Sequence, residues 1–536
     1  MNAIIVDALA SGRGERIATR DAIGAGPRTI AGVLEASGVK TVISPVDRFL
    51  AGKYDQGDFN ALLLSAMTSD LTAARKTVRK WRTYHDGVTL IGGPIASDPV
   101  WALRKTGADV AVTGEGEETL KELLSIGLES LIDCDLQEVR GVSLRKNGQL
   151  TSNPLRSVQG REFFTKYKPS VERITDYPLF KAARIYVEAL RGCSNYNRAR
   201  IGPLGEKCTY CETCTEAELT ERYDCPQGIP PGCGYCSVPS LYGPPRTRPQ
   251  SLIVEEVNGL LELGVRRVVL SAPGFLDYGR DLLVHPQPLT DPRQPEPNYD
   301  AIESLLNALT GLDAVEDGSA SIMIENLKAS LVTERAAKIL GSYLRGTPVS
   351  VGFETGSEEH SKRLGRPDSP REVLRALKRL KMAGLRPYVY FIHGLPGQSP
   401  ETVEETIHTM NEAKRLGAER VIMYRFQSLP RSAFTGCPSG PPSSSNELSM
   451  RLTKAAAAIN RTAKDELLGS RLRVVAAERY DRDPSYTVAY PLRHGPVILV
   501  KGSRWNTGDI IDVTIVDLVS DRIVRAEDTL GFNYRV

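Results

Sequence analysis

Short apolar segments alternate with amphipathic segments through residues 1–135. The pattern predicts five strands, at AIIVDAL, TVISPV, ALLLSAM, VTLIGG and VAVTG, and helices between them at RTIAGVLEASG, LTAARKTVRKWRTYH and PVWALRKTG. Strands that alternate with helices indicate a parallel, doubly wound α/β sheet, whose ligands bind beyond the carboxyl ends of the strands. We therefore expect a binding site among the small or polar residues that follow the third, fourth and fifth strands: Ser65, Met67, Thr68, Ser69, Gly92, Gly93, Pro94, Gly114, Glu115, Gly116 and Glu117.

A second alternating region follows a polar, less periodic linker at residues 136–184. Its strands are predicted at RIYVEALRGC, RRVVLSAP, ASIMIENL, PVSVGFETG, PYVYFIHGLPG and RVIMYRF, each separated from the next by a helix-like segment. This series predicts a full or partial (βα)6-type barrel of parallel strands over residues 185–440. The chemistry of such barrels gathers at the carboxyl ends of the strands.

The end of the chain has a different pattern. A Pro/Gly/Ser-rich hinge leads into a helical connector at residues 441–470, and residues 471–536 contain short β-rich runs. These runs predict a small OB-like barrel of about five strands. With 10 Lys/Arg and 9 Asp/Glu, this segment has far less positive excess than most RNA-binding surfaces. A local basic patch remains compatible with that balance.

Composition limits the class of protein. A chain of 536 residues predicts two to four domains, and the formal net charge of +3 neither requires nor excludes nucleic acid. We expect no transmembrane helix and no membrane partner, because no apolar run approaches twenty residues, and no signal peptide at the start of the chain. The expected location is the reducing cytoplasm, where clustered cysteines indicate metal or redox chemistry rather than disulfides.

Seven of the nine cysteines lie between Arg191 and Gly243. Three thiolates hold a [4Fe–4S] cluster with one iron open to a small molecule, whereas four are the usual full set. One assignment uses the C-x2-C-x2-C-x10-C run, which resembles the ferredoxin pattern with a longer last spacing. We call its members the insertion cysteines: Cys208, Cys211, Cys214 and Cys225. The other assignment uses a strand that ends in Gly–Cys and a later C-x2-C pair. We call these the barrel cysteines: Cys193, Cys233 and Cys236.

The barrel cysteines stand in a wider pattern. The sequences RGC, CGYC and TRPQSLIVEEVNGLLELGVRRVVLSAPGF resemble the cobalamin-dependent class of radical S-adenosylmethionine (SAM) enzymes, with the usual C-x3-C-x2-C opened by an insertion at residues 194–232. VSVGFETGSEEHSKRLGR and FIHGLPGQSPETVEETI resemble further motifs of that family. The resemblance implies that the barrel cysteines hold the [4Fe–4S] cluster. It also implies a SAM site at Glu325, Asn326, Gly352, Glu354, Thr355, Gly356, Gly394, Pro396 and Gly397.

The insertion cysteines then need another role. Four thiolates can close around one zinc or iron ion, hold an auxiliary iron–sulfur cluster, or remain unligated. The isolated Cys134 and Cys437 are predicted to be buried or incidental. The histidines at 360, 393 and 408 are predicted to be hydrogen-bonded scaffold, because a histidine at a strand end or on a helix is more often that than a catalyst.

Both ends of the chain resemble modules of the same or related enzymes. The LLLSAMTSD and VTLIGG…TGEGEE stretches resemble a Rossmann-like cobalamin-binding domain, which implies cobalamin contacts at Ser65, Met67, Thr68, Gly92, Gly93, Gly114, Glu115 and Gly116. The chain lacks D-x-H-x-x-G, and His85 lies in a helix-like segment, so we expect no histidine on the lower face of cobalt. The alternative is a related domain without cofactor or one that binds a regulatory nucleotide. The C-terminal segment resembles the TRAM module of tRNA methylthiotransferases.

Taken as a family member, the chain is expected to methylate an unactivated sp3 carbon. The resemblance implies hydrogen abstraction by a deoxyadenosyl radical and methyl delivery from cobalamin, with an external low-potential electron donor and the two cofactor domains facing one cavity. The expected substrate is a protein, such as a glutamine of methyl-coenzyme M reductase. The alternatives are a methylthiotransferase or methyltransferase acting on tRNA, against which the cysteine-free first 133 residues argue, and a non-catalytic cobalamin or nucleic-acid sensor.

Overall fold

The computed structural model describes residues 1–12, 21–131, 134–146, 148–520 and 522–529. These form two compact units, one of Met1–Val187 with Ser251–Val265 and one of Glu188–Gln250 with Arg266–Val536. Among the described residues, no helix is both long and apolar enough to cross a bilayer. The α/β class predicted from the sequence is confirmed, whereas the predicted domain boundaries stay predictions.

The strands and helices are as follows. The strands are β1 (Asn2–Asp7), β2 (Ala22–Ile23), β3 (Lys40–Pro45), β4 (Ala61–Ser65), β5 (Val88–Gly92), β6 (Val110–Val112), β7 (Val142–Lys146), β8 (Gln149–Ser152), β9 (Arg184–Glu188), β10 (Leu190–Arg191), β11 (Arg246–Thr247), β12 (Arg267–Ser271), β13 (Ser321–Ile324), β14 (Asn326–Leu327), β15 (Pro348–Glu354), β16 (Arg386–His393), β17 (Arg420–Arg425), β18 (Arg471–Arg479), β19 (Tyr486–Pro491), β20 (Val497–Lys501), β21 (Ile510–Leu518) and β22 (Ile523–Asp528). The helices are α1 (Gly26–Ala36), α2 (Val46–Leu50), α3 (Leu71–Tyr84), α4 (Pro99–Thr106), α5 (Gly116–Ile126), α6 (Phe163–Lys166), α7 (Gly202–Gly205), α8 (Thr213–Glu216), α9 (Val238–Tyr242), α10 (Gln250–Glu262), α11 (Arg280–Val284), α12 (Tyr299–Thr310), α13 (Asp313–Glu316), α14 (Glu334–Leu344), α15 (Glu358–Arg363), α16 (Pro370–Met382), α17 (Pro400–Arg415) and α18 (Glu447–Asp465).

A seven-stranded sheet in the order β3-β1-β4-β5-β6-β7-β8 organises the first unit. The first five of these strands are parallel, as the alternating pattern predicts, and they bury apolar runs such as Leu62–Leu64. Because β3 and β4 flank β1 on opposite sides, the strand order reverses there, which is where sheets of this kind bind ligands. The register pairs Asp7 with Ser65 and Ser65 with Gly92, so these carboxyl ends form one row.

The antiparallel hairpin of β7 and β8 extends this sheet beyond β6. The sequence analysis had assigned this stretch to a linker, because β8 is short and its positions are mostly exposed. Only β7 carries a buried start, at Val142 and Ser143. An edge strand with mostly exposed positions shows little alternation of apolar and polar residues in its sequence.

The second unit contains parallel strands that alternate with helices. β12 pairs with β13, and β14, β15, β16 and β17 form a parallel sheet in chain order. Along β15, Val349, Val351 and Phe353 are buried while Gly352 and Glu354 lie on the other, half-buried face. Helices α16 and α17 each begin with proline in the first turn after a serine cap, an arrangement that fixes where a helix starts. The strands therefore end in short turns that carry the motif residues.

The C-terminal part of the second unit is a closed five-stranded barrel in the order β18-β19-β20-β22-β21. Its core is aliphatic, with Val474, Ile498, Val513 and Val524 buried. A barrel of about five strands is thus confirmed, although the sequence analysis did not single out β18. That strand begins with exposed Arg471 and Arg473, which hide its apolar alternation.

Candidate functional site

A tight backbone turn after β10 positions Cys193. The chain turns at Gly192, whose φ is +93°, and a side chain there would collide with the carbonyl oxygens of Gly243 and Pro244. Only glycine tolerates both restrictions. The Cys193 amide donates to the Gly243 carbonyl at 3.0 Å, so the antiparallel pair β10–β11 fixes the cysteine that the sequence places at the end of a strand.

Asn195 links two of the barrel cysteines. Its backbone amide points to Cys193 Sγ at 3.5 Å, and its side-chain amide donates to Cys233 Sγ at 3.3 Å and to the Gly365 carbonyl at 3.0 Å. Asn195 is itself buried. Cys236 joins the same turn, since its amide donates to the Cys233 carbonyl at 2.8 Å. The fold thus brings together three thiols that the insertion separates in sequence.

The barrel thiols affect one another electrostatically. Burial raises the pKa of Cys233, and the nearby Cys193 adds to the rise while Arg366 opposes it. Burial also raises the pKa of Cys236 to about 12, again with contributions from Cys233 and Cys193. A metal centre that binds here would have to displace thiol protons, as thiolate ligation generally does.

The insertion cysteines line a separate cavity of ≈ 20 Å³. Cys211 is exposed and the other three are partly buried, and all nine cysteines of the chain are free. Thr213 donates to Cys211 at 3.4 Å, and its hydrogen bonds lower the pKa of that thiol. Within the described residues, no group of three or more His, Cys, Asp or Glu side chains is arranged around one ion position. That finding covers the insertion cysteines and the barrel cysteines alike, so the structure gathers each set without arranging its sulfurs around one ion position.

A buried ion pair stands beside the barrel cysteines, on the carboxyl end of β15. Arg366 donates to Glu354 Oε1 at 3.2 Å, to the Tyr235 hydroxyl at 2.6 Å and to the Gly352 carbonyl at 2.6 Å. Burial raises the pKa of Glu354, which Arg366 partly offsets. Glu354 has a left-handed backbone with φ of +63°, which costs a side chain roughly 1–3 kcal/mol. A carboxylate held under strain next to a cysteine loop is typical of a functional site.

The other predicted SAM residues form one hydrogen-bonded group of turns. His360 bridges the Thr355 hydroxyl at 3.1 Å and the Pro396 carbonyl at 2.8 Å. The Gly356 amide donates to Thr406 at 2.9 Å, and a Cβ at Gly356 would lie 2.5 Å from the Thr406 backbone. Burial lowers the pKa of His360. The histidine acts as scaffold here, as the sequence analysis expected.

Gly394 and Gly397 complete that turn, and both have positive φ. A side chain at Gly394 would lie 2.6 Å from the Gly440 backbone, and one at Gly397 would contact His360 at 3.3 Å. These glycines allow backbone segments to approach closely. His393 is buried with Nδ1 lacking a partner within the described residues, while His408 is exposed beside Glu412 at 3.7 Å.

Glu325 lies between β13 and β14, and Asn326 begins β14, at the same strand ends. Glu325 accepts a hydrogen bond from Ser271 at 3.0 Å, and its carbonyl accepts one from the Ser350 amide at 3.0 Å. Asn326 pairs with Ser350 in the β14–β15 ladder. Both side chains are half-buried, so they remain candidates for contact with a ligand.

The sequence analysis missed a buried charge cluster next to Cys193. Asp277 and Arg280 are fully buried, and Asp277 is bonded to Arg280 at 2.5 Å, to Ser194 at 3.0 Å and closely to Lys328. Lys328 also donates to the Ser194 hydroxyl at 2.6 Å. Two cations share one carboxylate, which leaves net positive charge beside Cys193. Four single residues spread from position 194 to 328 give no sequence signal for this arrangement.

In the first unit, the loops after β4 and β5 touch at Gly93. Its φ is +84°, and a Cβ there would lie 3.0 Å from the Ala66 carbonyl oxygen. The Ala66 amide donates to the Gly92 carbonyl at 3.2 Å, and the Ile95 amide to the Ala66 carbonyl at 3.1 Å. Ser65 and Gly92 are half-buried at this edge. The paired loops form a shallow, backbone-rich surface with few side chains to obstruct a large flat ligand.

The remaining predicted cobalamin residues surround that surface. Met67 is 46% exposed and Thr68 half-buried. Asp70, which the sequence analysis did not single out, accepts hydrogen bonds from the amides of Gly12 at 2.8 Å and Met67 at 3.0 Å. Burial raises the Asp70 pKa, while these bonds oppose the rise. Asp70 therefore ties the loops after β1 and β4 together.

The loop after β6 carries the other three predicted residues. Gly114 has φ of +83° and Gly116 begins α5. Glu115 is buried and accepts a hydrogen bond from the Gln159 amide at 3.1 Å. This carboxylate is therefore engaged by the protein, which makes the flanking glycine backbone the better candidate for ligand contact.

His85 lies at the opposite edge of the sheet. It follows α3 and precedes β5, and its ring stacks on Trp81 with centroids 4.3 Å apart. The amino ends of parallel strands do not form the ligand crevice. The expectation that His85 is not a cobalt ligand stays a prediction.

An arginine-lined cavity of ≈ 380 Å³ was also missed. It lies within the second unit, where Arg471, Arg473, Arg493 and His494 of the C-terminal barrel meet Arg386. Arg473 is paired with Asp512 at 2.9 Å and Arg386 with Glu419 at 2.8 Å. Arg386 begins β16, so the cavity lies at the amino end of that strand, away from the cysteines. The composition of the whole segment hides this local positive charge.

Models of two protein families match the chain. The radical SAM superfamily model matches residues 224–410, and the B12 binding domain model matches residues 18–124. The first match starts within the insertion, after Cys193, as expected for a motif opened by added residues. The chain is a cobalamin-dependent radical SAM enzyme, with a [4Fe–4S] cluster, SAM and cobalamin as its cofactors.

Two relatives align along almost the whole chain. The uncharacterized protein MK0932 of Methanopyrus kandleri is 43% identical over 97% of this chain and 95% of its own, and MJ1620 of Methanocaldococcus jannaschii is 39% identical over 96% of each. The protein belongs to the family of MK0932 and MJ1620. A more distant relative is the tRNA-2-methylthio-N(6)-dimethylallyladenosine synthase of Pelobacter propionicus, 24% identical over 56% of this chain and 63% of its own.

Solved structures share the fold. The radical SAM methyltransferase TsrM of Kitasatospora setae, with cobalamin and a [4Fe–4S] cluster bound, covers 81% of this chain and 76% of its own, with a TM-score of 0.57 at 12% identity. The cobalamin-dependent radical enzyme OxsB covers 76% of this chain and 51% of its own, with a TM-score of 0.54 at 13% identity. At these identities the likeness concerns the fold alone.

The residues of this chain fit the three cofactors. The barrel cysteines are three free thiols, of which Asn195 contacts Cys193 and Cys233 and the Cys236 amide bonds to the Cys233 carbonyl, which suits a cluster with one open iron. The Glu354 carboxylate lies directly over Gly352, where a Cβ would collide with it, so it is available to a cationic group of SAM at this strand end. The Gly93 contact provides the comparable backbone surface for cobalamin.

Proposed function

We propose that this protein is a C-methyltransferase that methylates an unactivated sp3 carbon in a protein substrate. The observation that carries the proposal is the assembly of Cys193 and Cys233 on one buried asparagine, beside the strained Glu354. When bound, the cluster and SAM supply a radical that removes hydrogen from carbon, and cobalamin supplies the methyl group. That reaction needs both sets of cofactors, and the chain has a domain for each.

The residues of the second unit would bind and orient the SAM-side cofactors. The barrel cysteines would ligate three irons, and Asn195 would donate a hydrogen bond to the Cys233 sulfur. Arg366 fixes Tyr235, the aromatic residue between the two cysteines, and Glu354 at the same time. Glu354 would then present its carboxylate to a cationic group of SAM, since carboxylates pair favourably with ammonium and sulfonium charge.

The residues of the first unit would hold cobalamin mainly through backbone and small side chains. Ser65 and Thr68 offer hydroxyl groups, and Gly92, Gly93, Gly114 and Gly116 leave room for the ligand. Because His85 lies at the far edge of the sheet, no histidine of this loop set would reach cobalt from below. Glu115 and Met67 would border the site.

The substrate assignment rests on the resemblance. The spread cysteines and the domain arrangement favour a macromolecular target, and a glutamine of methyl-coenzyme M reductase is the specific candidate. An external low-potential electron donor would reduce the cluster, which suits a reducing, cytoplasmic location. The fold neighbours TsrM and OxsB leave the target open because their likeness concerns the fold alone.

A second candidate is a methylthiotransferase or methyltransferase that acts on tRNA. Two observations favour it: the arginine-lined cavity on the C-terminal barrel, and the distant likeness to the P. propionicus tRNA-modifying synthase. Phosphate contacts by arginine are the usual basis of RNA affinity. Against it, the described N-terminal unit has a single cysteine, Cys134, where a sulfur-donating cluster would need three.

One experiment separates these functions. Anaerobically purified holoprotein would be incubated with SAM and reductant and assayed for 5′-deoxyadenosine, and host peptides would be compared between the wild type and a Cys233→Ser strain. A peptide heavier by one CH2 group only in the wild type supports the proposal. Host tRNA heavier by CH2S, or by CH2 without any peptide change, supports the second candidate, and absence of 5′-deoxyadenosine would contradict both.

A further inference from the structure

We propose that the insertion cysteines bind one tetrahedral divalent ion, zinc or ferrous iron, as a structural site separate from the cluster of the barrel cysteines. The four residues lie on a short stretch of chain and line one cavity. A full set of four protein thiolates leaves no position open for a substrate, which is the mark of a structural rather than a catalytic site.

The cavity has a size that suits one ion. Its volume of ≈ 20 Å³ is about that of a single water-sized sphere. The C-x2-C spacings between Cys208, Cys211 and Cys214 are those of tetrahedral sulfur sites, and Cys225 supplies the fourth ligand from the returning chain. Rotation of these free side chains about their Cα–Cβ bonds would direct the sulfurs inward.

Arg198 provides an independent indication that an anionic centre belongs here. The residue is 3% exposed, lines the cavity, and has no ion pair with any carboxylate in the described part of the chain. Its terminal nitrogens donate to the backbone carbonyls of Tyr196, Arg222 and Tyr223, and its Nε has no hydrogen-bond partner among the described atoms. A buried guanidinium without counter-charge is costly.

An ion bound by four thiolates would offset the free-energy cost of burying the Arg198 guanidinium. Four thiolates around a divalent cation carry a net charge of minus two, and sulfur accepts hydrogen bonds from nearby N–H groups. The Nε–H of Arg198 would then have both an acceptor and a counter-charge. The same arginine already anchors the backbone at Arg222 and Tyr223, three and two residues before Cys225, so one side chain would position the last ligand and offset part of the charge of the site.

The segment around these cysteines has few buried residues. Helices α7 and α8 have four residues each, and Tyr210 and Cys211 are exposed. Cys208 and Cys225 pack against a core cluster that contains Ile201, Ile229 and Phe434, and Arg222 pairs with Asp291 at 2.7 Å. A segment with so few buried contacts gains most of its order from a metal when it has ligands for one.

The test uses full-length protein purified anaerobically with its cofactors. Zinc and iron would be counted per chain for the wild type, Cys225→Ser and Cys214→Ser, with Cys437→Ser and Cys134→Ser as matched controls. We expect both insertion variants to lose one equivalent of zinc or iron while the absorption of the barrel cluster stays unchanged. The controls should keep the wild-type count. X-ray absorption of the wild type would identify the ion and show four sulfur ligands.

Three further variants cover the case of misfolding. The triple variant Cys193→Ala, Cys233→Ala, Cys236→Ala should retain the single ion, whatever the protein does catalytically, so this result is independent of the proposed function. Arg198→Met should lower retention of the ion during dialysis against a chelator at least about tenfold, and Arg198→Lys should restore part of it. Unchanged metal content in Cys225→Ser and Cys214→Ser, or loss of four irons rather than one ion, would overturn the proposal.

Discussion

The barrel cysteines and the insertion cysteines differ in their spacing along the sequence and in how the fold holds them. The barrel cysteines are far apart in sequence, yet Asn195 joins Cys193 to Cys233 through hydrogen bonds of 3.3 to 3.5 Å. The insertion cysteines are close in sequence, and Thr213 donates a side-chain hydrogen bond to Cys211 at 3.4 Å. In the first set, two members share a buried hydrogen-bond donor before any cofactor binds.

The two kinds of site differ in how much surrounding structure they need. A pre-arranged set needs buried partners, special glycines and a strained backbone, as at Gly192 and Glu354. A locally spaced set needs little surrounding structure, because the ligand itself supplies the order. A site that must bind a second molecule at an open position needs the first design, and a site that only stabilises a loop can use the second.

The largest expected effect is the loss of one barrel cysteine. Cys233→Ser should abolish 5′-deoxyadenosine formation to below detection, because the open cluster has no spare protein ligand. Its iron content should fall by the whole cluster. Cys437→Ser, at an isolated cysteine packed near Phe434, is the control that should keep both. Residual turnover in the Cys233 variant would contradict the assignment of the barrel cysteines.

The next effect tests whether the buried partners of the barrel cysteines matter. Arg366→Gln removes the hydrogen bonds to Tyr235 and Glu354 and leaves a buried carboxylate without counter-charge. Breaking such a pair costs about 3–5 kcal/mol of stability, and we expect SAM affinity to fall about 10–100-fold. Titration of cluster spectra with SAM would measure it.

Arg371→Gln is the matched control for that variant, because the Arg371 side chain is 83% exposed and its ion pair with Glu358 is long, at 3.7 Å. It should bind SAM like the wild type. Arg366→Lys should recover part of the affinity, because it restores the charge but not the forked geometry. Equal SAM affinity in Arg366→Gln and the wild type would show that this pair serves folding alone.

A third prediction concerns thiol reactivity in metal-free protein. Cys211 is exposed and its pKa is lowered by hydrogen bonds from Thr213, whereas burial raises the pKa of Cys236 to about 12. Alkylation proceeds through the thiolate, so at pH 8 iodoacetamide should modify Cys211 well before Cys236. The rate at Cys236 should keep rising as the pH is increased toward 12. Peptide mass spectrometry over time would show the order, and simultaneous modification would contradict it.

The smallest effect is a change in redox potential. Asn195→Ala removes the N–H···S hydrogen bond to Cys233, and a hydrogen bond worth about 1 kcal/mol corresponds to about 40 mV for one electron. We expect the cluster potential to become more negative by that order, since hydrogen bonds to sulfur favour the reduced, more negative cluster. Titration followed by electron paramagnetic resonance would measure it, and Asn258→Ala, on the surface of α10, is the control.

The strand pattern could be predicted from the sequence because the apolar runs are long and bounded by turns. All five strands foreseen in the first unit and those foreseen in the second are present. The strands β2, β7, β8, β11 and β18 were missed, because β2 and β11 have two residues each and exposed or charged positions interrupt the alternation of the others. In the C-terminal barrel, packing around Val474 and Val513 stabilises the strands, and such tertiary contacts cannot be read from the local sequence pattern.

For the site, the sequence could supply the residues of contiguous motifs but not their partners. The barrel cysteines and the Glu354 turn were found through their resemblance to a family. Asn195 and Lys328 were not, because each acts through contacts made across a long stretch of chain. Arg366 ends the quoted motif, but its hydrogen bonds to Glu354, Tyr235 and Gly352 were not foreseen. A buried polar contact has no periodicity, so only coordinates reveal it.

The base of the insertion is closed by a hydrogen bond of 2.9 Å from the Gly232 amide to the Asn197 carbonyl. The insertion thus leaves and returns at nearly one point, and it also contacts the rest of the second unit, through the ion pair of Arg222 with Asp291 at 2.7 Å and the hydrogen bond from the Arg200 amide to the Arg363 carbonyl at 2.8 Å. Changes of length in the exposed stretch around Cys211 would therefore leave these anchors in place, whereas replacing the whole insertion would remove them together with Asn195.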